Sequence, residues 1–267
     1  MLKFHRPIIV LIGCGGTGSY FSDHLGRLFG GYGELRQPRP QAVILIDADV
    51  VSESNTARQN FAYREVGLQK GLVLANRLQQ SHGVQNVDFW ASYANRRLLD
   101  KLFAKAGSEP LICISMVDNH DTRNRIMSRL KPDFNSWDGA RPRDWLYLDA
   151  GNTKTDGWVS AMGVCNGVGF GTDFRTMDAN MRNNTGLAAP TLDGSGRENR
   201  GCGAVSSSPE TFFCNQQNGY LLASQLRSIC LKGKGYGVIA YKRSDFDSDD
   251  WKTDAYQNHF LEPFELP

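Results

Sequence analysis

The sequence predicts an α/β protein built on a mainly parallel sheet with helices on both faces, and three observations carry that reading. Short continuous apolar runs, "PIIVLI" at 7–12, "AVILID" at 42–47 and "LICISM" at 111–116, suit strands buried on both sides better than strands with one wet face. Amphipathic stretches of helical period lie between them. A glycine-rich turn, "GCGGTGS", follows the first run directly and opens the first helical stretch.

Taken in order, "PIIVLI" is a strand and residues 17 to about 30 a helix. "AVILID" is the second strand, followed by a helix around "EVGLQKGLVLANRLQQ". "VDFWASY" and "LICISM" are strands separated by the helical "RRLLDKLFAKA", and "WLYLDA" and "WVSAMGVC" complete the set. Residues 166–208, rich in Gly, Asn, Ser and Thr with little periodicity, read as a long flexible crossover loop. A helix over 209–231 and a late strand "YGVIAYKR" follow, then an acidic and finally apolar tail over 244–267. The whole chain, 1–267, is expected to form one domain.

Composition narrows the function. A net charge of +2 over 267 residues, with no dense Lys/Arg block, argues against nucleic acid as the partner. No run approaches the roughly 20 apolar residues of a membrane span, and glycines interrupt "PIIVLI" before a secretory signal could form. A cytoplasmic protein is expected. The six cysteines, Cys14, Cys113, Cys165, Cys202, Cys214 and Cys230, include no C-x-x-C pair, so a structural zinc site has no support.

Gly13, Gly15 and Gly18 satisfy the dinucleotide fingerprint G-x-G-x-x-G. The first permits a tight turn, the second a close approach to phosphate, the third close packing of helix on strand. The helix N-terminus then offers N–H groups and partial positive charge to an anion. Asp47, ending the second strand, is placed to bind ribose hydroxyls, which serves ATP as well as NAD. The next segment separates the two. "IDADVVSESNTARQNFAYREVGLQKG" holds Asn55, Arg58, Gln59 and Lys70 shortly after the strand end. Two fixed cations there suit a triphosphate whose leaving pyrophosphate must be neutralised, unless Arg58 and Lys70 simply point outward from a solvated helix face. At the end of the fourth strand, in "LICISMVDNHDTRNR", Asp118 suits Mg²⁺, which takes few carboxylates besides phosphate oxygens and water. Asp118 or Asn119 could instead, or as well, cap the helix that carries Arg123.

Together "GCGGTGS", "DADVVSESNTARQ…K" and "VDN…R" resemble the ThiF/MoeB/HesA family of adenylating enzymes, which includes the ubiquitin-activating enzymes; the resemblance spans about residues 7–130. It implies a Rossmann-like fold that binds ATP and Mg²⁺ and adenylates the C-terminal glycine carboxylate of a ubiquitin-like or sulfur-carrier protein. By motif position, Gly13, Gly15 and Gly16 would line the phosphates and Asp47 the ribose, while Asn55, Arg58 and Lys70 grip the triphosphate, with Gln59 also among the nucleotide-binding residues and Asp118 on the metal. Cys202 resembles the crossover-loop cysteine that takes the acyl group as a thioester, for delivery to a conjugating-enzyme-like acceptor; Cys214 is its rival. Arg197 and Arg200 beside Cys202 could lower its thiol pKa. The resemblance also implies a homodimer, with Arg6 the one nearby candidate for an arginine delivered across the interface. Two other readings compete: an NAD-dependent oxidoreductase, and a nucleotide-binding scaffold that docks a partner through the tail "FLEPFELP".

Overall fold

The computed structural model describes residues 4–37, 39–130, 144–152, 156–172, 210–243 and 256–267. Nine strands form one sheet among them: β1 (Ile8–Ile12), β2 (Ala42–Ile46), β3 (Val87–Trp90), β4 (Leu111–Ser115), β5 (Trp145–Asn152), β6 (Asp156–Cys165), β7 (Val168–Gly171), β8 (Lys234–Arg243) and β9 (Tyr256–Glu265). The helices are α1 (Gly16–Phe29), α2 (Lys70–Asn76), α3 (Arg96–Ala106), α4 (His120–Leu130) and α5 (Glu210–Lys232).

The strand order is β3-β2-β1-β4-β5-β6-β8-β9, with β7 paired to β6. The first five strands are parallel and the rest antiparallel. β1 and β4 are buried at all five positions, which is why their sequences are apolar without alternation. Alternate side chains feed two cores. Ile9, Leu11, Ile112 and Ile114 lie with residues of α1, α2 and α5, while Ile8, Val10, Leu111 and Cys113 lie with residues of α3 and α4.

Three elements differ from the sequence reading. The helix expected across 65–80 begins only at Lys70 and ends in a π-turn over Arg77–Ser81. Before it the chain folds back at Gly67, where Val51 N–H donates to Leu68 O and Gly67 N–H to Val51 O. β7 lies inside the expected loop: Asn166 and Gly167 both have positive φ, 51° and 79°, and form a tight hairpin turn between β6 and β7. The Asn-Gly pair was the legible signal for it. The apolar tail is β9, paired with β8 from Lys234↔Glu265 to Arg243↔Tyr256. It tolerates Pro263 because an edge strand leaves one row of N–H groups unpaired. Residues 173–209, most of the expected crossover, and 244–255 lie outside the described residues.

Candidate nucleotide-binding site

β1 leads through α1 to β2 on one side, and its other neighbour is β4. The strand order therefore reverses between β1 and β4, and in open α/β sheets ligands bind outside the carboxyl ends at that crevice. Gly13 occupies it. Its φ is 95°, and a Cβ there would lie 2.6 Å from the Met116 carbonyl oxygen at the end of β4. Gly15 is the N-cap of α1, with no side-chain cap and no acidic residue in the first turn, so that helix end is left open to an anion.

Asp47 is tied into the turn. One carboxylate oxygen accepts from Cys14 N–H at 2.6 Å and the other from Asp49 N–H at 2.7 Å. Burial pushes its carboxyl up, while those two N–H donors and the charge of Lys70 pull it down. Lys70 does not point outward. It opens α2, is 6 % exposed, and its Nζ lies 3.3 Å from Asp49 Oδ2. Tyr93, 71 % exposed and unremarked in the sequence, donates from its hydroxyl to Asp49 Oδ1 at 3.3 Å. Its phenol is held up first by the charge of Asp49 and further by those of Asp47 and Asp118, so the three carboxylates share one end of the sheet.

Asn55, Arg58 and Gln59 are all buried. Asn55 folds this segment: its Oδ1 accepts from Ser52 N–H at 3.0 Å, and its main-chain oxygen accepts from the N–H groups of Arg58 and Gln59. Those bonds shape the segment that carries Arg58 and Gln59. Gln59 Nε2 lies 3.9 Å from where a Cβ on Gly15 would stand, and its Oε1 is buried without a hydrogen-bond partner. An unmet buried acceptor costs about 1–3 kcal/mol, so the geometry leaves a place for a ligand donor beside the turn.

At the end of β4 the capping question resolves on Asn119, whose Oδ1 accepts from Thr122 N–H at 2.8 Å. Asp118 stays exposed, its Oδ1 accepting from Asn119 Nδ2 at 3.3 Å. Behind it Arg123 is buried and donates to Asp149, to Val117 O and to Ala150 O, fixing the chain on which Asp118 stands. Among the described residues no three His, Cys, Asp or Glu side chains converge to hold a metal by themselves. A single exposed carboxylate suits Mg²⁺ that brings phosphate oxygens with it, which is the fit that the donor set allows.

Sequence reasoning missed Asn215 on α5. It is 1 % exposed and contacts both the glycine turn and the Arg58 segment; nothing local in "TFFCNQQ" marks it, because its partners are far away in sequence. Cys202, with Arg197 and Arg200, lies outside the described residues. The five described cysteines are buried, Cys214 included. Burial pushes the thiols of Cys14 and Cys113 well up and that of Cys230 up to about 12. Native protein treated with iodoacetamide near pH 8 should therefore carry no adduct on Cys14, Cys113, Cys165, Cys214 or Cys230, read by peptide mass mapping.

Strand order and glycine turn define a Rossmann-like nucleotide-binding protein. Residues 1–133, β1 to just past α4, match the ThiF family, and this part of the chain is a ThiF-family domain. The whole fold is similar to that of E. coli MccB crystallised with AMPCPP and selenomethionine MccA, with TM-score 0.57 and 16% identity over 97% of this chain and 65% of that one. It is also similar to PaaA, with TM-score 0.56 and 17% identity over 97% of this chain and 74% of that one. MccB with ATP gives TM-score 0.55 and 17% identity at coverages of 97% and 65%. At these identities the likeness is one of fold, and the chain spans somewhat under two thirds of MccB. No curated protein matches it in sequence. No helix among the described residues is long and apolar enough to cross a membrane.

Proposed function

We propose that the protein is an ATP-dependent adenylating enzyme acting on the C-terminal glycine carboxylate of a ubiquitin-like or sulfur-carrier protein. The observation that carries the reading is the burial of Arg58, Gln59 and Lys70 after β2, with Gln59 beside the glycine turn at the switch point. An NAD-dependent oxidoreductase would give those cations no task. MccB, of similar fold, crystallises with ATP, and with AMPCPP together with MccA, which supports a nucleotide and a second partner on this framework.

In the proposed reaction the substrate carboxylate attacks the α-phosphorus, pyrophosphate leaves, and an acyl-adenylate forms. The attacking group is already an anion, so no general base is required. The protein must offset repulsion between two anions and stabilise charge on the leaving group, which preorganised cations do in a water-poor site. Arg58 and Lys70 take that part, Gln59 donates its amide N–H beside the turn, and Asp47 faces the ribose. Lys70 can reach phosphate only by sharing or leaving Asp49, so nucleotide entry rearranges that pair. Asp118 would hold Mg²⁺, which supplies further neutralisation of the phosphates when bound.

The Cys202 thiolate would then attack the acyl carbon of the adenylate, forming a thioester as AMP leaves; a conjugating-enzyme-like acceptor follows, and the working form is a homodimer. Incubation with ATP, Mg²⁺ and a ubiquitin-like protein ending in glycine should yield an adenylate by mass, plus a thiol-sensitive conjugate. Cys202→Ser should keep the adenylate and lose the reducible conjugate. Loss of adenylate in that variant would give Cys202 a structural part instead.

A further inference from the structure

We propose that Asn215 is a positioning residue of the nucleotide site, an amide clamp that holds the glycine turn and the Arg58 segment at the separation a triphosphate requires. The inference rests on the nucleotide reading above. Asn215 lies early in α5, 198 residues from Thr17 and 157 from Arg58 in sequence, yet it bonds both. Its Oδ1 accepts from Thr17 Oγ1 at 3.4 Å, and its Nδ2 donates to Arg58 O at 3.2 Å. Thr17 belongs to the first turn of α1, the end open to an anion, and Arg58 is a buried cation of the segment after β2. One planar amide, 1 % exposed, thus sets the gap between the two sides of the phosphate site.

The same amide explains Gly16. A Cβ at that position would lie 2.4–2.6 Å from the Asn215 side-chain atoms, closer than such contacts occur. The residue type in the turn is therefore set by α5 as well as by the phosphate. Asn215 itself acts through Thr17 and Arg58 and need not touch nucleotide. Without that donor, the Arg58–Gln59 peptide keeps the Gln59 N–H bond to Asn55 O. The Arg58 segment is then no longer tied to α1 through α5, so the guanidinium loses its fixed place toward the β and γ phosphates. AMP lacks those phosphates, so recognition of AMP should not depend on the clamp.

The test is isothermal titration of MgATP and of AMP against wild type, Asn215→Ala and Asn215→Leu, with thermal unfolding beside it. Asn215→Leu keeps the side-chain volume and removes both the acceptor for Thr17 and the donor to Arg58 O without adding charge beside the phosphates. In both variants the ratio of ATP to AMP affinity should fall about tenfold, the scale of one or two net hydrogen bonds. If Asn215→Ala fails to fold, the near-isosteric, uncharged Asn215→Leu still reports the ratio. An unchanged ratio, with ATP and AMP binding kept or lost together, overturns the clamp and leaves the nucleotide reading standing. Wild-type protein that binds neither nucleotide overturns both.

Discussion

Arg58→Ala and Asp118→Ala should each abolish carboxylate-dependent ATP–pyrophosphate exchange while the protein keeps its far-ultraviolet circular dichroism. Removing one preorganised group that meets charge developing in the transition state typically costs about 2.7–4 kcal/mol, or about 10²–10³ in rate. Arg58 is buried at the switch point, and Asp118 stands exposed at the end of β4, where it does not serve as the α4 cap. The Arg58 main chain is held by Asn55 and Asn215 through backbone groups, so truncating its side chain leaves those bonds in place. Substantial exchange in both variants would remove these residues from the mechanism.

The second large effect is on stability. Arg123 and Asp149 form a buried pair, with Arg123 Nε 3.0 Å from Asp149 Oδ2 and side chains 5 % and 0 % exposed. Asp149→Ala leaves the guanidinium uncompensated and should cost about 3–5 kcal/mol in urea unfolding. Arg123→Met/Asp149→Leu should recover much of that loss, because two apolar groups replace two buried charges. It should not recover pyrophosphate exchange, since Arg123 also donates to Val117 O and Ala150 O behind Asp118. Burial outweighs Arg123 and holds the Asp149 carboxyl above the ordinary carboxylate value. A raised folded pKa makes this contribution complete at acid pH and lost as pH rises from about 4 through the folded value. Asp149→Asn should remove that part of the pH slope; an unchanged slope would mean another group carries it.

Much of the first half of the fold is legible in residues. β1, β2 and β4 are short apolar runs because both faces of each are covered, and α3 starts at Arg96 behind Asn95, whose side chain accepts from Leu98 N–H. The misreadings share a cause. The stretch 65–80 has helical period, but its first part is taken by pairing with Val51, a competition that local pattern does not reveal. β9 reads as a tail because a strand with little local signal forms only when β8 offers its edge.

For the site, sequence by itself determined the chemistry on offer: glycines where backbone must turn tightly, two cations after the second strand, one carboxylate after the fourth. These follow from local needs, since positive φ and apolar burial constrain residue type at a single position. Tertiary structure alone decided which groups face the crevice. It turned Lys70 inward onto Asp49, made Asn55 a fold-back cap, brought Tyr93 to the acidic edge and set Asn215 between two distant segments. Those outcomes depend on non-local contacts between α5, the glycine turn and the β2–α2 connection, and such contacts leave no period in the sequence.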